Sequence, residues 1–343
     1  MTAVKDATVS VTTPIVALLQ HELVGASIEV PAHLWEPALL GPLSDFLDRP
    51  GKEVRGKMVE LGYALSGGEP ERMPETLPLL IELLHAGSLI VDDIEDGSAM
   101  RRGKPALHCT YGLPVALNAG NWLYFWPQVL LSRMALSNGA RLEAHERIAE
   151  CLLRCHEGQA LDLTARVDSL ARADVPNVVR AITTLKTGQL IGLACVLGGI
   201  AAGATSRRIE ALAAFGRDIG IGLQMLDDLS GALNPARRDK ALEDLRGARA
   251  TWIWAWLAED LDATRYHELL ELLRGARADG DSQRFDSLLG HARFRLAMTG
   301  IRRVRRSLDD AIAALAHAVG EGEWQHVVRS ELGALERAFM EGT

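Results

Sequence analysis

"LPLLIELLHAGSLIVDDIED", residues 77–96, reads as one helix that ends in acid. Its apolar residues recur three and four apart, the period of a helix with one face toward a core, and the alternation a strand needs is absent. Projected down the axis, His85, Leu89, Asp92 and Asp96 form one stripe, with Asp93 and Glu95 flanking it. Asp92 and Asp96 are therefore one turn apart on the same side. Like charges at that spacing destabilise an isolated helix by a few tenths of a kcal/mol. Either the cluster is a solvated helix end or it holds something strongly cationic. A hard divalent ion such as Mg²⁺, which takes oxygen ligands and keeps waters for sharing with phosphates, is the natural candidate.

The same helical period runs through residues 116–136, 147–165, 178–199 and 208–229, and β alternation is nearly absent. The stretch "TWIWAWL" (251–257) alternates in period two, yet it lies among helical segments, where Trp252 and Trp256 share one face of a helix and read as core or subunit interface. With 343 residues, 48% of them hydrophobic, and no long linker or repeat, the chain is expected to be all-α. The expectation is a single-domain helical bundle around a central cavity over residues 16–340, with a disordered tail at 1–15.

A net charge of -8 argues against nucleic acid as a partner. Four cysteines are too sparse for a disulfide scaffold in a chain of this size, which fits a cytoplasmic protein. Cys151, Cys155 and His156 have helical spacing but no second ligand pair follows, so they read as ordinary buried thiols and a neighbour. The apolar run at 190–204 is too short for a membrane span and reads as a core helix, so no integral membrane segment is expected. The basic run "IRRVRRS" (301–307) reads as a solvated helix face.

A second acid-rich helix end, "GLQMLDDLSG" (222–231), sets Gln224, Asp227 and Asp228 at helical spacing. Two such ends facing each other across a bundle would hold several cations, and cations held this way bind a diphosphate, with arginines and lysines neutralising the remainder. Candidate anion binders are Lys52 and Arg55 beside Gly51, the pair Arg101 and Arg102, and Lys186 with Thr187 in an otherwise apolar helix. For Lys186, snorkelling to solvent is the competing reading.

Between about Trp35 and Trp256 these motifs occur in one order: "PGKEVR", "HAGSLIVDDIEDGSAMRRGKP", "NAGN", "HEGQALDL", "KTGQL", "LQMLDD" and "EDLRGARAT". In that order they resemble the trans-isoprenyl diphosphate synthases, the polyprenyl synthetase family, and most of all geranylgeranyl diphosphate synthases of the eukaryotic type. The resemblance implies a Mg²⁺-dependent prenyltransferase and a homodimer. An allylic diphosphate ionises, isopentenyl diphosphate adds to the cation and a proton is lost, so the protein supplies charge stabilisation and a dry cavity rather than a nucleophile.

Carried over by motif, Asp92 and Asp96 would ligate Mg²⁺, with Asp93 beside them, and Asp227 would hold a further ion, assisted by Asp228. Arg101, Lys186, Thr187 and Gln224 would contact the allylic diphosphate. Gly51, Lys52, Arg55, His85 and Arg102 would form the isopentenyl diphosphate pocket. Arg249 stands where the family commonly has a lysine, and Gly231 where it commonly has a further acid. Small residues before the first acidic motif, Gly87 and Ser88, would leave a product channel open, with Leu84 and aromatics of "NWLYFW" (121–126) closing it deeper, which points to a C20 product. Two alternatives stay open. A class I terpene cyclase would use the same metal chemistry without an isopentenyl pocket, and a non-catalytic subunit would tune a partner synthase.

Overall fold

The computed structural model describes residues 18, 19, 22, 30–51, 53–280 and 282–341. The proposed tail at 1–15 and the candidate Lys52 lie outside the described residues. Among the described residues the regular structure is helical, apart from one two-stranded hairpin and an isolated bridge between Arg166 and Arg249. By packing, the chain divides into two compact units, Met1–Val54 with Leu79–Met134 and Arg55–Pro78 with Ala135–Thr343.

The first unit contains α1 (Ala32–Trp35), a π-helical turn (Glu36–Leu40) and α2 (Gly41–Leu47), which run on from one another. The long helix α4 (Leu77–Asp96) enters it after α3 (Val54–Leu65), which belongs to the second unit. Leu80, Ile81, Leu83, Leu84 and Ile90 of α4 are fully buried, as the helical stripe requires. An antiparallel hairpin of β1 (Met100–Arg101) and β2 (Lys104–Pro105) follows, then α5 (Leu107–Tyr111) and α6 (Leu113–Ser132). The hairpin turns through left-handed backbone at Arg102 (φ 51°) and Gly103 (φ 76°). Helices α4 and α6 touch at Gly87, where a Cβ would lie 2.8 Å from the Gly120 carbonyl oxygen and 2.9 Å from Leu123 Cβ. The glycine is there because two backbones meet.

In the second unit, α7 (Asn138–Thr164) and α8 (Val175–Thr183) lead through a π-helical turn (Thr184–Gly188) into α9 (Gln189–Ala201). Every residue of α9 from Leu190 to Ile200 is buried, so the most apolar run of the chain is a core helix. The stretch Val175–Ala201 is long and apolar enough to cross a membrane, and 67% of its apolar 18-residue window is buried. Next come α10 (Ser206–Leu233), α11 (Arg238–Arg246) and α12 (Trp252–Asp260), then α13 (Ala263–Asp279), the 38-residue α14 (Ser282–Val319) and α15 (Glu323–Glu341). Thr205 caps α10, accepting the Arg208 N–H at 3.4 Å. The "TWIWAWL" segment is helical despite its alternation. Trp252, Trp254 and Trp256 are all at most 3% exposed, because a helix surrounded by other helices has no polar face to keep.

Candidate active site

At the C-terminal end of α4 the three aspartates have different surroundings. Asp93 is 1% exposed and accepts a hydrogen bond from Arg101 Nε at 2.7 Å, with a second from the same guanidinium. Burial pushes the Asp93 carboxyl above its ordinary range, although Arg101 pulls the other way. Asp92 and Asp96 are partly exposed, and Asp92 lies 3.6 Å from Arg101. Asp93 thus fastens the hairpin to the helix, while Asp92 and Asp96 form the outward pair. Burial opposes the charge of Arg101, but its bonds to Asp93 and the nearby Asp92 and Asp96 more than offset that and raise its pKa.

The hairpin carries its second arginine to a different place. A Cβ on Gly51 would sit 3.4 Å from both terminal nitrogens of Arg102, so this guanidinium lies directly across Gly51. It also covers the Phe46 ring at 5.7 Å and donates to the Arg49 carbonyl oxygen at 3.2 Å. Among the described residues no carboxylate lies within ion-pair distance of it. Burial lowers its pKa; Glu82 opposes that shift, whereas Arg101 and Arg49 add to it. His85 is half-buried on α4, and its carbonyl oxygen accepts the Ser88 hydroxyl at 2.8 Å.

In the second unit the π-helical turn presents Lys186 and Thr187 in succession. Lys186 donates to Asp162 at 2.8 Å, and Arg249 approaches the same carboxylate at 3.9 Å. The Lys186 ammonium is therefore held by a counter-ion rather than released to solvent. Thr187 donates to Gln224 Oε1 at 2.9 Å, Gln224 donates to Asp228 Oδ1 at 2.9 Å, and Asp228 Oδ2 accepts the Trp252 N–H at 2.8 Å. That relay buries Asp228, and burial pushes its carboxyl up to about 7. Its neighbour Asp227 has the opposite fate. Arg237 reaches one oxygen at 2.7 Å and Lys240 the other at 3.0 Å, and although burial opposes it, these cations bring its carboxyl down to about 2. Lys240 also pairs with Asp244 at 3.3 Å, and Arg55 acts from nearby on the Cys155 thiol.

No three His, Cys, Asp or Glu side chains converge as a ready-made metal cage among the described residues. Asp92 and Asp96 nonetheless supply two hard oxygen donors one turn apart. Such a pair suits Mg²⁺, which keeps most of its waters and takes one or two carboxylates. Asp227 suits an ion less well, because both its oxygens already face cations.

The residues expected to set product length have different surroundings. Gly87 does not line a channel; it is consumed by the close approach of α4 to α6. Leu84 is 0% exposed. Of the aromatics in 121–126, Phe125 is 71% exposed, whereas Trp126 is buried against Trp122 with ring centroids 4.8 Å apart. Ser88 remains, half-buried one turn before Asp92. Sequence reasoning missed Arg49, Asp162, Arg237, Lys240 and Asp244. Lys240 and Asp244 were visible as an i,i+4 pair in "KALED", and Asp162 within "QALDL"; Arg49 gave no signal.

The polyprenyl synthetase family model matches residues 36–289. The geranylgeranyl pyrophosphate synthase of Eremothecium gossypii is 31% identical over 287 residues, 82% of this chain and 84% of that protein. The Sulfolobus acidocaldarius geranylgeranyl diphosphate synthase is 31% identical over 185 residues, about half of each chain (53% and 54%). Among solved structures, a Corynebacterium glutamicum geranylgeranyl pyrophosphate synthase complexed with isoprenyl diphosphate and magnesium superposes with a TM-score of 0.72 at 22% identity, covering 97% of this chain and 96% of that one. A Caulobacter crescentus polyprenyl synthase gives 0.71 at 23%, covering 96% and 94%. The chain belongs to the polyprenyl synthetase family, the trans-isoprenyl diphosphate synthases, and is a prenyl-transferring enzyme with their all-α fold.

Proposed function

We propose that this enzyme condenses isopentenyl diphosphate with an allylic diphosphate to make mainly geranylgeranyl diphosphate, C20. The observation that carries the proposal is Arg102 lying across Gly51 with no carboxylate within ion-pair distance among the described residues, which we read as an anion seat separate from the acidic end of α4. A cyclase working on one prenyl diphosphate has no use for such a seat. The names of the relatives support the C20 product.

Asp92 and Asp96 are the proposed ligands of Mg²⁺, which when bound supplies positive charge to the departing diphosphate. Arg101, Lys186, Thr187 and Gln224 orient and neutralise the allylic diphosphate. Gly51, Arg55, His85 and Arg102, with Lys52, hold isopentenyl diphosphate. Asp162 keeps Lys186 aimed, and Asp227 takes up an ion only by giving up Lys240 or Arg237. No side chain acts as a nucleophile; the residues bind, orient and exclude water.

The test is isopentenyl diphosphate with C5, C10 or C15 allylic diphosphates, with and without Mg²⁺, followed by chain-length analysis. A Mg²⁺-dependent C20 product is expected. Only C15, or only chains beyond C30, would defeat the product assignment, and hydrocarbon formed from geranylgeranyl diphosphate alone would favour a cyclase. We also propose a homodimer, supported by the exposed apolar side chains Leu113, Leu117, Phe125 and Val129 along α6. Light scattering should give twice the chain mass, and a monomer at micromolar concentration would refute it.

A further inference from the structure

Arg49 is the most enclosed cation near the anion seat. Its side chain is 0% exposed, and burying a guanidinium is costly unless its donors are satisfied. Here the fork is used in three directions. Nε donates to the Asp45 carbonyl at 3.3 Å, one terminal nitrogen to the Asp45 carboxylate at 3.0 Å, and the other to the Arg101 carbonyl at 3.2 Å. The Arg49 carbonyl in turn accepts from the Arg102 guanidinium at 3.2 Å. One residue therefore holds both hairpin arginines, Arg101 by its main chain and Arg102 by its side chain. Phe46 lies under both guanidiniums, with Arg49 5.5 Å and Arg102 5.7 Å from the ring centroid.

The hairpin needs such a tether. Arg102 sits at φ 51°, a left-handed conformation that is strained for a non-glycine residue. Lys104 adds a weaker hold on Asp45 at 3.2 Å, but both partners are partly exposed. The two arginines differ in how far they depend on Arg49. The Arg101 side chain is fixed by its double hydrogen bond to Asp93, whereas among the described residues the Arg102 guanidinium bonds the main-chain carbonyl of residue 49, so the Arg49 side chain acts on Arg102 through the Arg101 carbonyl it holds on the hairpin backbone.

We propose that Arg49 is a positioning residue that aims Arg102 across Gly51, and so sets the affinity for isopentenyl diphosphate without touching it. The proposal rests on the reading of Arg102 as the isopentenyl diphosphate contact, and the experiment separates the two. Lysine at position 49 keeps a charge for Asp45, but its single ammonium cannot also span to the Arg101 carbonyl as the planar fork does.

Steady-state kinetics of Arg49→Lys should show KM for isopentenyl diphosphate raised about tenfold. KM for the allylic diphosphate and kcat should stay within about threefold, with an unchanged melting temperature. In an Arg102→Gly background, Arg49→Lys should raise that KM no further. A folded Arg49→Lys enzyme with unchanged KM for isopentenyl diphosphate overturns the proposal, as does a fall in kcat and melting temperature without a KM change. If Arg102→Gly alone leaves that KM unchanged, the parent reading of Arg102 fails instead, and this inference falls with it. Should Arg49→Lys not fold, Phe46→Leu removes the ring beneath Arg102 while sparing the Arg49–Asp45 pair. It should give the same selective rise in KM, and its absence would refute the proposal.

Discussion

At the end of α4 three aspartates share one arginine, whereas at the end of α10 the carboxylates of Asp227 and Asp228, with Asp244 of α11, are distributed among Arg237, Lys240, Arg249 and two neutral donors. The two motifs look alike in sequence and differ in charge. The first leaves Asp92 and Asp96 partly exposed on the outward side of the helix, one turn apart, beside Arg101. The second is neutralised from within: Asp227 is ion-paired twice, and Asp228 is built into a buried relay from Thr187 to Trp252. The two pairs of aspartates thus differ in the cations their own chain brings to them, and the difference predicts opposite results for like substitutions.

The largest expected effect is on turnover. Asp92→Asn should lower kcat by about a thousandfold, the scale of losing a main electrostatic stabiliser of the transition state. It should leave the melting temperature unchanged or slightly higher, because repulsion from Asp96 is relieved. Turnover within tenfold of wild type would show that the first cluster is not the metal site. Asp228→Ala should instead act on stability, since it leaves the Trp252 N–H and the Gln224 amide without their acceptor. The loss should be about 2–3 kcal/mol in urea denaturation. If Asp228→Ala unfolds like wild type, the two clusters are less different than the geometry makes them.

How much of this contrast could be read beforehand follows from range. The helices were legible because the 3.6-residue period is local, and so was the placement of Asp92 and Asp96 one turn apart on a single helix. The neutralisation of Asp227 was not, because Arg237 and Lys240 lie beyond the end of α10 and reach back only after the chain turns. Arg49 was hidden for the same reason: its partners Arg101 and Arg102 are more than 50 residues away. Gly87 misled because a small residue is equally the sign of an open channel and of two helices in contact, and only the Gly120 carbonyl at 2.8 Å decides between them.

The two glycines that accompany the clusters sharpen the comparison at its smallest scale. At Gly87 an added methyl meets backbone, so Gly87→Ala should cost about 1–3 kcal/mol without lengthening or shortening the product. A change of product length with stability intact would restore Gly87 to the channel wall. At Gly231, which is buried, the nearest atom to a built Cβ is Ala241 Cβ at 3.5 Å, an ordinary contact, so a Cβ fits. Gly231→Asp therefore places a third carboxylate one turn beyond Asp227, on a helix end where Arg237 and Lys240 already balance the charge. Turnover should stay within about threefold of wild type, and Mn²⁺ titration followed by electron paramagnetic resonance should count no additional ion, because what keeps cations away from this end is resident positive charge rather than a shortage of oxygens. An extra bound ion together with faster turnover would mean that the missing acid, not Lys240, limits the second cluster.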